Sequence, residues 1–582
     1  MKLSDYVAEF IYRLNTKHAF VITGGASVHI IDSIAKHPDM TYICPNHEQS
    51  SAFAADAYSR INNNIGVAIS TSGPGATNMI TGICSSWFDS VPVLYITGQV
   101  STFRLKKNLG VRQLGFQEND TLDMVKPITK YAVTITKPED IRYELEKAMY
   151  LATSGRPGPV VLDIPDNIYR QDINEHELLP FNKPIIDPKT QPPHLPNIAN
   201  ILSNAKQPVL IIGWGVKLAN AEKDVEKLIK TLNIPVLLTW AMKGYLDEND
   251  ELYAGTFGTH GSRYGNFAVQ SADVLISIGS RLDTHETGSP VSDFAPNAVK
   301  IIVDIDENEI NKFNELDFNV DYPICTDAKI FTQKVLEQLD PKPREKLSPW
   351  INKINGWKAQ FPNGYITNPL GLINPYKLMS EMSYRSKEND IVVTDTGCTL
   401  AWLMQGFIAK KNQKFIHAYN NTPMGYALPA SIGLSLASKQ QITCLVGDGS
   451  LMMNIQELPL VVNHQMNIKI FLFNNSGYSM ICQTQEQWLD NSYQASTTDS
   501  GLCFPDFEAV AKAHGFKYYG LSADKDIAEV ISSVYAEPGP VFCNVNIDPK
   551  QRVVPQLKFG HKLEDMEPLL DKTVLLEIMK TI

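Results

Sequence analysis

Gly447-Asp448-Gly449-Ser450 closes one short apolar run, and Asn475, in Asn474-Asn475-Ser476-Gly477, closes another 27 residues after Asp448. If Thr443–Val446 and Ile468–Phe473 are adjacent parallel strands, Asp448 and Asn475 stand side by side at their carboxyl ends. That edge is where open α/β sheets bind ligands. One carboxylate, one amide oxygen and a carbonyl such as that of Gly477 suit a hard octahedral cation, Mg²⁺, which takes its other ligands from phosphate and water. Gly447 and Gly449 let the backbone approach a diphosphate. A bare Gly-Asp-Gly is equally a turn after a strand; the spaced Asn-Asn gives it a chemical reading.

Two further motifs precede it. His47-Glu48-Gln49 opens the helix-like run Ser50–Tyr58, and Thr71-Ser72-Gly73-Pro74-Gly75-Ala76-Thr77-Asn78 follows a strand-like run. Alone, Glu48 reads as a helix-dipole partner and the second motif as a turn or a nest of backbone N–H groups.

The elements that must position these residues alternate along the chain. Ala19–Thr23, Ile65–Thr71, Val91–Thr97, Val209–Gly213, Val274–Gly279, Ile301–Ile305, Ile391–Thr396, Thr443–Val446 and Ile468–Asn474 are short runs rich in Val, Ile and Leu, separated by helical patterns. Such runs suit parallel strands buried on both faces. The alternation predicts an α/β protein of three doubly wound parallel-sheet domains. Proline-rich stretches at Phe181–Pro196 and Pro341–Pro349 read as linkers. They divide the chain into 1–180, 190–340 and 355–560, with a tail at 561–582.

Composition is that of an ordinary globular chain: 43% hydrophobic, 20% charged, with a net charge of −11. It excludes a disordered or collagen-like chain and argues against a broad nucleic-acid surface. Eight scattered cysteines without a CxxC suggest a reduced, cytoplasmic protein. The N-terminal stretch has no signal-peptide pattern, and no run reaches about 18 uncharged apolar residues, so no membrane partner is expected.

Taken in order, the motifs resemble those of thiamine-diphosphate (ThDP) enzymes, and more narrowly the acetolactate synthase family. The resemblance covers nearly the whole chain: HEQ…AFAAD.Y.R at 47–60, TSGPGATN at 71–78, DSVPVLYITGQV at 89–100, FQE at 116–118, KPITKY at 126–131, GRPGPVVLDIP at 155–165, MGYALPASIG at 424–433 and GDGSLMMNIQEL at 447–458. It implies pyrimidine-binding, middle FAD-type and diphosphate-binding domains. Glu48 would share a proton with the aminopyrimidine ring and so activate the thiazolium. Thr71, Gly73, Pro74 and Asn78 would line the pyrimidine side, and Met424 would hold the cofactor bent. Gly447, Gly449 and Ser450 would meet the diphosphate, with Asp448, Asn475 and Gly477 on Mg²⁺. Arg156, Gly213, Gly215, Thr239, His260, Gly261, Arg281, Asp283 and Asp304 recur where the family holds FAD, in a structural role. The implied activity is decarboxylation of pyruvate and transfer of the two-carbon unit to a ketone acceptor, as in branched-chain amino-acid biosynthesis, by a homodimer or homotetramer. Another ThDP-dependent decarboxylase, lyase or oxidase is the alternative.

Several positions depart from the family pattern. Thr23 precedes Gly24-Gly25 in place of proline, Gly115 replaces alanine before Phe116-Gln117-Glu118, and Thr396-Gly397-Cys398-Thr399 lacks the usual GQH. Thr484 stands where a tryptophan helps to choose the acceptor. Losing an indole removes a large apolar contact and admits a larger acceptor, such as the keto group of a nucleotide sugar. His29 resembles the substrate-facing histidine of some related carboligases. With Gln117 it is a candidate proton relay. Lys130 reads as structural.

Overall fold

The computed structural model describes residues 1–61, 64–184, 195–340, 345, 347–364 and 371–580. Its apolar runs form three six-stranded sheets, every neighbouring pair in them parallel, with helices between the strands. The predicted α/β class is the observed one.

The first sheet contains β1 (His18–Val21), β2 (Thr41–Ile43), β3 (Gly66–Ser70), β4 (Val93–Gln99), β5 (Tyr131–Thr134) and β6 (Val160–Pro165). Its order is β2-β1-β3-β4-β6-β5. The middle sheet contains β7 (Pro208–Ile212), β8 (Val236–Leu238), β9 (Tyr253–Thr256), β10 (Val274–Ile278), β11 (Val299–Asp304) and β12 (Tyr322–Cys325). Its order, β12-β11-β10-β7-β8-β9, is the 3-2-1-4-5-6 arrangement of dinucleotide-binding sheets read from the other edge. The third sheet contains β13 (Ile391–Thr394), β14 (Lys414–Ile416), β15 (Ile442–Gly447), β16 (Ile468–Asn474), β17 (Lys517–Leu521) and β18 (Val541–Asn546). It runs β14-β13-β15-β16-β18-β17, repeating the winding of the first.

The first and third sheets share one apolar core. The helix Glu48–Ser59 is buried from Ser50 onward, as a helix apolar or small on every face must be. It lies against the helix Ala427–Ser438. A Cβ on Gly433 would stand 2.1 Å from Ala54 O, so glycine sets that close approach. Where the helix ends, Arg60 is buried between Asp56 (2.7 Å) and Asp89 (2.8 Å). Tyr426 OH also donates to Asp56, at 2.6 Å.

Residues 185–194 of the first proline-rich linker, and 341–344 and 346 of the second, lie outside the described residues. The C-terminal segment turns back onto the middle domain. Gln556–Leu557 pairs with Met566–Glu567, Leu557 N donates to Thr259 O at 2.8 Å, and Arg263 donates to the carbonyls of Met566 and Pro568. On its way the chain crosses the helix Ser479–Trp488, where Val553 N donates to Gln483 Oε1 at 3.0 Å.

Candidate functional site

In each sheet the winding reverses beside its first strand, and the loops that meet there carry the chemistry-bearing motifs. Such reversals open a crevice at the carboxyl ends of the strands.

In the third sheet the crevice lies between β13 and β15. β15 and β16 pair in register, Gly447 opposite Phe473, which brings Asp448 and Asn475 together as the spacing predicted. Asp448 is buried and accepts from the N–H groups of Gly449 (2.6 Å), Asn475 (3.1 Å) and Gly477 (3.3 Å). Burial pushes its carboxyl up to about 6, against the pull of these donors. Asn475 Nδ2 donates to Ser479 Oγ at 2.7 Å. This leaves the amide oxygen 2.7 Å from Gly477 O and 3.3 Å from Asp448 Oδ2. With its oxygen turned inward, the amide would complete, with Asp448 Oδ2 and Gly477 O, a donor set suited to a hard cation. Without one, the amide is better turned over, its nitrogen donating to both neighbours. Among the described residues no cluster of three or more His, Cys, Asp or Glu could hold a metal ion. Gly449 is tight, since a Cβ there would stand 2.0 Å from the Tyr478 ring. Ser450 follows in the same short helix. Met424 precedes Gly425, whose φ of +83° favours glycine.

In the first sheet the crevice lies between β1 and β3. A Cβ on Gly24 would stand 2.4 Å from Thr71 Cβ, so these two loops touch. Glu48 begins its helix, with His47 as N-cap accepting from Gln49 N. Asn78 Nδ2 donates to Glu48 Oε2 at 2.9 Å, and the Gly73–Pro74–Gly75 turn passes beneath. A Cβ on Gly75 would lie 3.5 Å from Glu48 Oε1, and one on Gly73 2.9 Å from Gln117 O. Gln117 itself has φ +63°, a strained conformation for a non-glycine residue. It is held by Asn119, which donates to Gly73 O at 3.1 Å, and by Glu118. That buried carboxylate accepts from the N–H groups of Lys106 (2.6 Å), Leu114 (2.9 Å) and Gly115 (3.1 Å). Gly115 has no room for the expected alanine, because a Cβ would meet Val100 Cγ2 at 2.8 Å. His29 lies in the first turn of the helix Val28–Lys36. The charges that act on it include Lys2, Arg170, Asp166 and Asp32. Lys130 donates to Ser154 O and Arg156 O at 2.6 and 2.7 Å, a structural role.

In the middle sheet the crevice between β7 and β10 opens into a cavity of about 470 Å³. Arg156, Gly215, Thr239, His260, Arg281, Asp283 and Asp304 line it. Gly213 and Gly261 are not among its lining residues. A Cβ on Gly213 would stand 2.3 Å from Gly279 O, and one on Gly261 2.4 Å from Phe257 C, so both are needed for packing. Arg156 donates to Asp306 (3.1 Å) and Glu309 (2.7 Å). Residues that the sequence did not point to complete the wall. His285 stacks on His260 with ring centroids 5.3 Å apart; burial pushes both down, His260 to about 3. Glu286 accepts from Ser280 Oγ at 2.7 Å and is pushed up to about 7 by burial and then by Asp283.

Comparison with known proteins agrees with this geometry. Residues 1–124 match the N-terminal thiamine pyrophosphate binding domain of thiamine pyrophosphate enzymes, 195–339 their central domain and 395–545 their C-terminal thiamine pyrophosphate binding domain. An acetolactate synthase large subunit of Cyanidium caldarium is 33% identical over 574 residues, covering 96% of this chain and 95% of its own. The chain belongs to the acetolactate synthase family. A probable acetolactate synthase large subunit of Methanococcus aeolicus is 33% identical over 91% of this chain and 89% of its own. The chloroplastic acetolactate synthase of Arabidopsis thaliana is 31% identical over 97% and 84%. This member is thus a ThDP-dependent, acetolactate-synthase-like enzyme. Among its described residues no helix is long and apolar enough to cross a membrane.

Proposed function

We propose that this enzyme decarboxylates pyruvate and transfers the two-carbon unit to a ketone, with a second 2-oxo acid as the principal acceptor. The observation that carries the reading is the pairing of two sites on one fold: Glu48 held by Asn78 at the first crevice, and the Asp448–Asn475–Gly477 oxygen trio at the third. The trio would hold Mg²⁺, and through it the diphosphate of ThDP beside Gly447, Gly449 and Ser450. Bound ThDP supplies an electron sink for the pair released as CO₂ departs. Glu48 holds a proton at the pyrimidine ring nitrogen, a short transfer suited to a carboxyl group. Met424 would support the cofactor. Gln117 and His29 are proposed to handle protons at the acceptor oxygen; for His29 this requires a substrate reaching the end of β1.

FAD is proposed for the middle cavity. Five buried polar atoms on its lining residues have no partner among the described residues: Trp214 Nε1, Thr239 Oγ1, Trp240 Nε1, His260 Nε2 and Thr326 Oγ1. Buried polar groups are rarely left unpaired, and a flavin dinucleotide would supply acceptors and donors to them. Net redox chemistry is not needed, so the flavin is structural.

A second reading concerns only the acceptor. Thr484 donates to Met480 O at 3.1 Å and presents no indole, which favours a larger keto-sugar acceptor. A homodimer or homotetramer is proposed from the family and from Phe103, Leu109, Leu114 and Phe116, which stand exposed in the segment leading to Gln117. All eight cysteines are free thiols, in keeping with a reducing compartment such as the cytoplasm. Mass-spectrometric product analysis with pyruvate, ThDP, Mg²⁺ and FAD, with and without keto-sugar nucleotides, tests the acceptor. Acetolactate from pyruvate alone supports the first reading; CO₂ release that needs the sugar supports the second.

A further inference from the structure

Asp395 has no place in the chemistry above, yet it is buried at the centre of the third crevice. It follows β13 directly. Its Oδ1 accepts from Thr396 N (2.9 Å) and Gly425 N (3.0 Å), and its Oδ2 from Ala427 N (3.0 Å). The Ser450 hydroxyl also bonds to it. No cation is among these partners. A buried carboxylate with only neutral donors is costly, and burial pushes this one up to about 6. An apolar side chain there would leave the N–H groups of Thr396, Gly425 and Ala427 without their acceptor. What the carboxylate supplies is geometry: it joins the end of β13, the segment around Met424, and the loop that carries Asp448.

The other side of the same segment is gripped as well. Asn454 Nδ2 donates to Gly425 O at 2.5 Å, and its Oδ1 accepts from Ser50 Oγ at 3.0 Å. Ser50 lies two residues beyond Glu48 on the same helix. Gly425 is therefore held at its N–H by Asp395 and at its C=O by Asn454, and its missing side chain is required. A Cβ there would meet Met453 Cβ and Asn454 Nδ2, each at 2.7 Å.

We propose that Asp395 is a positioning residue that, with Asn454, fixes Met424 between the metal-binding loop and the helix of Glu48. The proposal rests on the reading of Met424 as the support beneath the cofactor. Displacing a positioned group by about 1 Å costs on the order of 100-fold in rate, so the clamp is a strong determinant of cofactor activation.

The test is exchange of the C2 proton of bound ThDP for deuterium, read by NMR after acid quench in the holoenzyme, beside cofactor affinity by calorimetry. In Asp395→Asn one acceptor oxygen becomes a donor facing Ala427 N. Exchange at saturating cofactor is expected to fall at least about tenfold, with affinity changed by less than about threefold. Asn454→Ala, which loosens the clamp from the other side, is expected to act in the same direction and keeps the question answerable if Asp395→Asn does not fold. Met424→Ala is expected to slow exchange too, and the double variant Asp395→Asn/Met424→Ala to be no slower than the worse single one, since the two act through one contact. Normal exchange in both clamp variants, or multiplying effects in the double variant, would overturn the proposal. Absence of C2 exchange in the unmutated enzyme would instead overturn the functional reading beneath it.

Discussion

The first and third domains thread six strands in the same order, β2-β1-β3-β4-β6-β5 and β14-β13-β15-β16-β18-β17, and open a crevice at the same place. Their chemistry differs. The third crevice brings together a buried carboxylate, an amide and a carbonyl, those of Asp448, Asn475 and Gly477. In the first, Thr71 and the Gly73–Pro74–Gly75 turn occupy the corresponding loop, and the candidate carboxylate, Glu48, comes from the start of the helix between β2 and β3. The winding supplies a crevice; on the proposed reading, the loops decide whether it takes the diphosphate end of a cofactor or its reactive ring. Fold alone would not separate the two. The surroundings differ in the same sense: the Asp448 half is buried and its backbone tied down, while the Gln117 half is bordered by exposed Phe116 and Leu114.

Variants at the two crevices should fail differently. The largest effect is expected for Glu48→Gln, with turnover lost by more than about 100-fold while cofactor affinity and Tm stay near normal; calorimetry and CO₂ release separate the two. Asp448→Ala should do the opposite, losing Mg²⁺-dependent ThDP binding by at least about tenfold, as an outright loss of a metal ligand should exceed that of its supporting partners. Were both variants to lose binding equally, the division of labour would be wrong.

The joint between the domains gives a third expectation. Arg60→Met strands Asp56 and Asp89 without their cation, and removing one partner of a buried ion pair costs about 3–5 kcal/mol, readable in denaturant unfolding of the holoenzyme. A smaller effect is expected in the middle domain. Glu286 has its folded value raised to about 7, so the folded state holds its proton more tightly than the unfolded chain does. Its contribution to stability is full below the unfolded value and is lost as pH rises through about 7. Glu286→Gln should therefore flatten the fall in Tm between pH 5 and pH 8, most visibly without added flavin. An unchanged profile would remove Glu286 from the account. The smallest effect is expected for Thr484→Trp, which restores an indole and should shift acceptor preference toward the smaller 2-oxo acid by about tenfold.

Much of this was legible in the chain. Strong Val/Ile/Leu runs gave β15 and β16 nearly to the residue, because both faces of those strands are covered and the apolar signal is unbroken. The 27-residue spacing from Asp448 to Asn475 then placed two side chains on one edge. What pattern reading missed depends on pairing between distant segments. Asp395 is a single acid after an apolar strand, a position that could have drawn notice, but its partners are backbone N–H groups some thirty residues away. The His260–His285 stack and the Arg60 network join residues with no local signature. The repeated winding of the outer domains left no sequence repeat, because strand order depends on burial pattern and connection length, not on residue identity.

The most direct test of the central claim is CO₂ release from pyruvate by protein shown calorimetrically to hold ThDP and Mg²⁺, with products read by mass spectrometry. The account predicts one CO₂ per coupled product and a two-carbon gain on the acceptor, lost in Glu48→Gln. Loaded protein that releases no CO₂ from pyruvate, with or without an added ketone, would contradict it.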